Sequence, residues 1–157
     1  MTTSETHSAS RVINGSKASI YAAFVDPAKL MQWLPPHGAM GTVEQFNATV
    51  AGRFRFILTF DRAIGKSSST SDVVAGYFLK IDPDSAIVLA IEFVSDRDEF
   101  RGTMTMEWCF KSLEGGTLVS VVARNVPSGI NRADHESGMM SSLDNLAAFI
   151  EGGQSSV

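Results

Sequence analysis

Few side chains in this chain have the type and spacing that chemistry needs. Outside the N-terminal segment the histidines are His37 and His135. His37 follows Pro35-Pro36 and precedes Gly38, close after Trp33. His135 stands one helical turn before Met139, at the head of an apolar stripe. At a cavity edge either imidazole could hydrogen-bond a ligand or move a proton near neutral pH. The alternative for each is a partly exposed or capping histidine. Glu44 shares strand parity with Phe46, which would turn it inward, whereas Glu107 shares parity with Thr103, Thr105 and Cys109 and faces solvent. Acid/base work of the glycosidase kind needs two inward carboxylates, and no such pair stands out. No Gly-x-Ser-x-Gly elbow, phosphate-binding glycine loop, dinucleotide fingerprint or His-x-x-x-His pair occurs. The single cysteine, Cys109, has no evident base and reads as a small structural residue. No catalytic residue, metal or cofactor is assigned on these grounds.

The apolar residues form the stronger pattern. Phe54, Phe56, Leu58 and Phe60 alternate with Arg53, Arg55, Ile57 and Thr59. Met104, Met106, Trp108 and Phe110 repeat the same period of two, which is that of a half-buried strand. Together with Tyr77, Leu79, Leu89, Ile91 and Phe93 these should share one concave face. Most of that set is packed core. Aromatic rings mixed with adaptable methionines also suit the wall of an apolar pocket. The candidate ligand-binding residues are Trp33, His37, Phe54, Phe56, Tyr77, Met104, Met106, Trp108, His135 and Met139. Tyr77, His37, His135 or Glu44 would orient the ligand's polar end. Trp33 is either a gate at the pocket mouth or a pin holding a short helix to the sheet.

The elements that must position these residues follow from local signals. Residues 9–14 read as a strand, and Ser16 can cap a helix that buries Ile20, Ala23 and Phe24. Asp26-Pro27 stops that helix and starts a second short one, which Pro35-Pro36 ends. Strands follow over residues 42–49, 53–60, 73–81, 86–94, 102–112 and 117–126, joined by short turns that make neighbours antiparallel. Residues 61–72 form a polar loop whose Ser67-Ser68-Ser69-Thr70-Ser71 run is solvated, or serves as a lid. A long helix spans residues 131–150, with Met139, Leu143, Leu146 and Ile150 on one face. It is needed to cover the apolar face that the strands share. The expected class is α+β: one domain over residues 9–151, with flexible tails at 1–8 and 152–157.

The chain has 157 residues, of which 44% are hydrophobic and 19% charged, with a net charge of −4. One cysteine excludes an intrachain disulfide and fits a reducing compartment. Basic residues are scattered singly, without the stripe that nucleic acid requires. No apolar run approaches the ~20 residues of a membrane span, and the first eight residues lack the apolar segment of a signal peptide. The cytoplasm is the expected location.

Five motifs occur in register from Val12 to Ile150. They are Phe24-Val25-Asp26-Pro27-Ala28-Lys29-Leu30-Met31-Gln32-Trp33, Val50-Ala51-Gly52-Arg53-Phe54-Arg55-Phe56, Gly76-Tyr77-Phe78-Leu79-Lys80-Ile81-Asp82-Pro83, Gly115-Gly116-Thr117 and His135-Glu136-Ser137-Gly138-Met139. In this order they resemble the SRPBCC (START-like) superfamily, and within it the family of homologues of the activator of the heat-shock protein ATPase, of the C-terminal-domain type. Ala51 departs from that family's glycine and Met139 from its tryptophan. The resemblance implies a helix-grip fold, a curved antiparallel sheet around a long C-terminal helix with two short helices after the first strand. It implies three functions: non-catalytic binding of a small, largely apolar molecule, a cyclase or dehydratase using the same pocket, or a cochaperone-like interaction. The chaperone activators carry a further N-terminal domain, for which this chain has no room. A homodimer stays open.

Overall fold

Apolar side chains at every second position demand a sheet with one buried face, and the chain builds one seven strands wide. The computed structural model describes residues 5–155, with side chains described through residue 152. The strands are β1 (Thr6–Ile13), β2 (Ala39–Phe46), β3 (Arg53–Phe60), β4 (Ser71–Asp82), β5 (Ala86–Phe93), β6 (Met104–Leu113) and β7 (Gly116–Arg124). Their order across the sheet is β1-β7-β6-β5-β4-β3-β2, and every pairing is antiparallel. Five pairings of successive strands and one return of β1 to β7 make a single curved wall. Bulges between Val43 and Gln45 and between Phe78 and Lys80 accentuate the bend.

Three helices close the open side. Helix α1 (Lys17–Val25) is capped by Ser16, which accepts from Ser19 N. Helix α2 (Pro27–Trp33) starts on Asp26, whose carboxylate accepts from Ala28 N and Lys29 N. Helix α3 (Arg132–Ser155) lies in the grip of the sheet and buries Met139, Leu143, Leu146, Ala147 and Ile150. This is the helix-grip arrangement that the family resemblance implied.

Two local details follow from sterics. Ala51 sits at φ 67 in the β2–β3 connection, a left-handed conformation that glycine adopts without cost. A Cβ at the neighbouring Gly52 would lie 2.1 Å from the Asn47 carbonyl oxygen, so that position admits no side chain.

The boundaries differ from expectation at both ends. Strand β1 begins at Thr6, so residues 6–8, expected in a flexible tail, are paired with residues 122–124 of β7. The long helix continues past Gly152 to Ser155. Residues 1–4 and 156–157 of the expected tails lie outside the described residues. No helix among the described residues is long and apolar enough to cross a membrane.

Candidate functional site

Between the concave face of the sheet and the first turns of α3 lies a cavity of about 650 Å³. That is within the range of roughly 300–1,000 Å³ typical of small-molecule pockets. Its floor is the alternating set of the central strands. Phe54 and Phe56 of β3, Phe78 of β4, Leu89 and Ile91 of β5, and Met104, Met106 and Trp108 of β6 line it. Helix α3 contributes His135, Gly138, Met139 and Ser142. Gly138 matters here, because a Cβ there would meet nothing within 4 Å. The helix leaves space where its later turns fill it. The mouth lies where exposed lining residues converge: His37 after α2, Arg62 and Ile64 after β3, and Asn131 and Asp134 at the start of α3.

Polar side chains of α3 hold one rim in place. Ser142 Oγ donates to the Leu34 carbonyl at 2.6 Å, and Asn145 Nδ2 donates to the Pro35 carbonyl at 3.0 Å. The His37 backbone N–H donates to Ser141 Oγ at 2.9 Å. His37 is thus fixed by its backbone, with its ring at the exposed rim.

An ion pair between a half-buried lysine and a buried carboxylate occupies another wall. Asp72 is 2% exposed, and its Oδ2 meets Lys66 Nζ at 2.8 Å. The Lys66 backbone N–H donates to Asp72 Oδ1 at 2.7 Å, and Lys66 Nζ lies 4.9 Å from the centroid of the Phe93 ring. Both residues line the cavity. Two charges in an apolar wall stay only because each satisfies the other. The serine-rich segment is therefore no free lid. Ser67 Oγ accepts from Val73 N at 2.7 Å, Ser95 Oγ donates to the Lys66 carbonyl at 2.6 Å, and Arg97 donates to the Gly65 carbonyl at 2.6 Å.

The third polar group joins β1 to α3. His7 is fully buried, and its Nδ1 lies 2.8 Å from Nδ1 of His135. His7 Nε2 meets Glu5 Oε1 at 3.3 Å. Burial, then the proximity of His7 and of Lys66, pushes the His135 pKa down to about 4, with Glu136 opposing. His135 is neutral at pH 7.

Of the residues singled out from sequence, His37, Phe54, Phe56, Met104, Met106, Trp108, His135 and Met139 line this cavity, whereas Trp33 and Tyr77 do not. Trp33 is fully buried and donates from Nε1 to the Ala23 carbonyl at 2.9 Å. It packs edge-on against Trp108, with centroids 5.6 Å apart, and pins α2 rather than gating the mouth. Tyr77 is 40% exposed on the convex side. Pairing of Phe54 with Gly76 and Phe56 with Val74 turns the even residues of β4 inward, so Phe78 takes the place expected of Tyr77 and Leu79. Glu44 also points away. It is the extra residue of the β2 bulge and pairs with Arg55 at 2.8 Å. Glu107 faces Arg124 at 2.9 Å. Burial and the Glu107 charge push the Cys109 thiol pKa up, which makes it a poor nucleophile.

Sequence reasoning missed His7, Lys66 and Asp72. His7 was legible in principle. The inward parity of β1 runs from Ile13 through Arg11 and Ala9 back to His7. Asp72 shares parity with Val74 and Phe78.

A family model described as Activator of Hsp90 ATPase homolog 1-like protein matches residues 14–151. The chain belongs to this family. Among solved structures, a Chromobacterium violaceum protein is similar at 27% identity and a TM-score of 0.83, over 93% of this chain and 96% of its own. An AHSA1 protein from Silicibacter pomeroyi is similar at 18% identity and a TM-score of 0.78, covering 95% and 99% of the two chains. An AHSA1-like protein from Aeromonas hydrophila follows the same fold at 19% identity and a TM-score of 0.70, over 96% and 94%. Among curated proteins no match is found. In this member of the Activator of Hsp90 ATPase homolog 1-like family, the cavity wall includes Met139, where the sequence resemblance calls for tryptophan.

Proposed function

We propose that this protein binds a small, largely apolar molecule in the cavity between the sheet and α3, without catalysing its conversion, in the cytoplasm. The observation that supports this reading is the cavity itself: about 650 Å³, floored by aromatic and methionine side chains. Apolar burial supplies affinity at about 25 cal/mol per Å², and the few polar groups orient the guest. The cyclase or dehydratase reading needs a pair of inward carboxylates or an equivalent base and acid. Asp72 is committed to Lys66 and Glu44 is directed outward, which favours binding over turnover. A cochaperone role rests on the family description alone.

The test is titration with the neutral probe N-phenyl-1-naphthylamine. Saturable micromolar binding with quenching of tryptophan emission is expected, because Trp108 lines the cavity. A Gly138→Phe variant should place a ring in the open space and weaken binding at least tenfold while still folding. Absence of saturable binding to the wild-type protein overturns the reading.

A further inference from the structure

The Glu5, His7 and His135 side chains form a chain of contacts from the surface to the cavity. Its polarity follows from elementary donor and acceptor rules. An ionised carboxylate only accepts, so Glu5 takes the proton of His7 Nε2 across 3.3 Å. With a single proton on His7, held on Nε2 by Glu5, the His7 Nδ1 is bare. The 2.8 Å contact between the two Nδ1 atoms needs one proton, which His135 must supply. Neutral His135, with its proton on Nδ1, has a bare Nε2. No hydrogen bond from the described residues occupies that nitrogen, which is accessible rather than sealed in the core, and His135 lines the cavity. The groups around the array hold it in place. Arg132 pairs with Glu5 at 3.3 Å and with Glu136 at 3.6 Å, and it donates to the Thr6 carbonyl at 2.6 Å. Asp134 is exposed at the mouth. Lys66 is close enough for its charge to disfavour protonation of His135. Among the described residues no three His, Cys, Asp or Glu side chains converge as metal ligands.

We propose that Glu5 and His7 are positioning residues that fix the His135 tautomer, so that Nε2 accepts a hydrogen bond from a weakly acidic hydroxyl, phenolic or enolic, on an otherwise apolar ligand. This rests on the cavity being the binding site. Three ligand chemistries separate at this point. A carboxylate has no proton to donate to a bare nitrogen. An ammonium donates but must bury a full charge in an otherwise apolar cavity. A hydroxyl donates without bringing a net charge into the apolar cavity. An acceptor in a cavity wall rejects ligands that leave it unpaired.

The experiment compares 2-naphthol with 2-methoxynaphthalene on the full chain at pH 7, alongside nitrogen NMR of the histidine rings. The expected result is about tenfold tighter binding of the naphthol, one hydrogen bond's difference, and a His135 ring protonated on Nδ1. Glu5→Gln, at an exposed position, should reduce the preference and mix the tautomers without loss of fold. Equal binding of the two probes, a His135 proton on Nε2, or an unchanged preference in Glu5→Gln each overturns the inference while leaving the cavity reading standing. Binding of neither probe removes both.

Discussion

Helix α3 has two halves that meet the same sheet in opposite ways. Its C-terminal half inserts Leu143, Leu146, Ala147 and Ile150, all buried. At that end of the cavity floor, Phe24, Trp33, Trp108 and Phe110 pack ring against ring, with centroids 4.7–5.6 Å apart. Its N-terminal half offers His135, Gly138 and Ser142 instead, and there the sheet faces a cavity. The strands alternate equally well at both ends. The difference lies in what the helix brings: large apolar side chains leave no void, whereas a glycine and short polar groups do. A pocket in this fold is therefore a property of the helix as much as of the sheet.

The contrast can be broken most sharply by truncation. Leu146→Ala, in the packed half, should cost about 3–4 kcal/mol, because a rigid surround leaves a cavity behind. Met106→Ala, at the open half, should cost about 1–2 kcal/mol less, since Met106 already borders empty space. Urea unfolding of both variants checks this, and equal losses would mean that the cavity is filled in solution.

The open half should instead depend on its charges. Lys66→Met leaves Asp72 buried with only the backbone N–H of residue 66 to accept from, at a cost on the order of 3 kcal/mol. Lys66→Met with Asp72→Leu should recover most of that loss, as measured by the same unfolding midpoint.

Acid should act on the open half first. The His135 pKa is depressed from the ordinary 6.5 to about 4, so the unfolded chain binds the proton more readily. The contribution of this group is fully present above pH 6.5 and is lost as pH falls towards 4. It amounts to roughly 3 kcal/mol in total, with the opposing Glu136 charge already included. Stability measured between pH 7 and pH 4 should fall with that slope, and His135→Gln should flatten it.

The smallest effect has the opposite sign. Gly138→Ala adds a methyl group into open space and removes a flexible residue from a helix. It should stabilise the protein by about 0.5–1 kcal/mol and leave probe binding nearly unchanged.

Much of this molecule was legible in the chain. Period-two runs in residues 53–60 and 104–110 placed Phe54, Phe56, Met104 and Trp108 on the buried face, because side chains on a strand must alternate. Ser16 and Asp26 marked the helix starts, because unpaired N–H groups need acceptors there. The Met139, Leu143, Leu146 and Ile150 stripe identified the covering helix. Tertiary structure decided the rest. In β4 both faces are apolar, so only pairing with β3 could show that Phe78 faces in and Tyr77 out. A single inserted residue in β2 sent Glu44 outward, and the insertion exists only relative to its partner strand. His7 and His135 are 128 residues apart in the chain, and Lys66 meets Asp72 across a folded loop. Contacts like these carry no periodicity, and the histidine pair forms only once the sheet has curved enough to bring its first strand against its last helix.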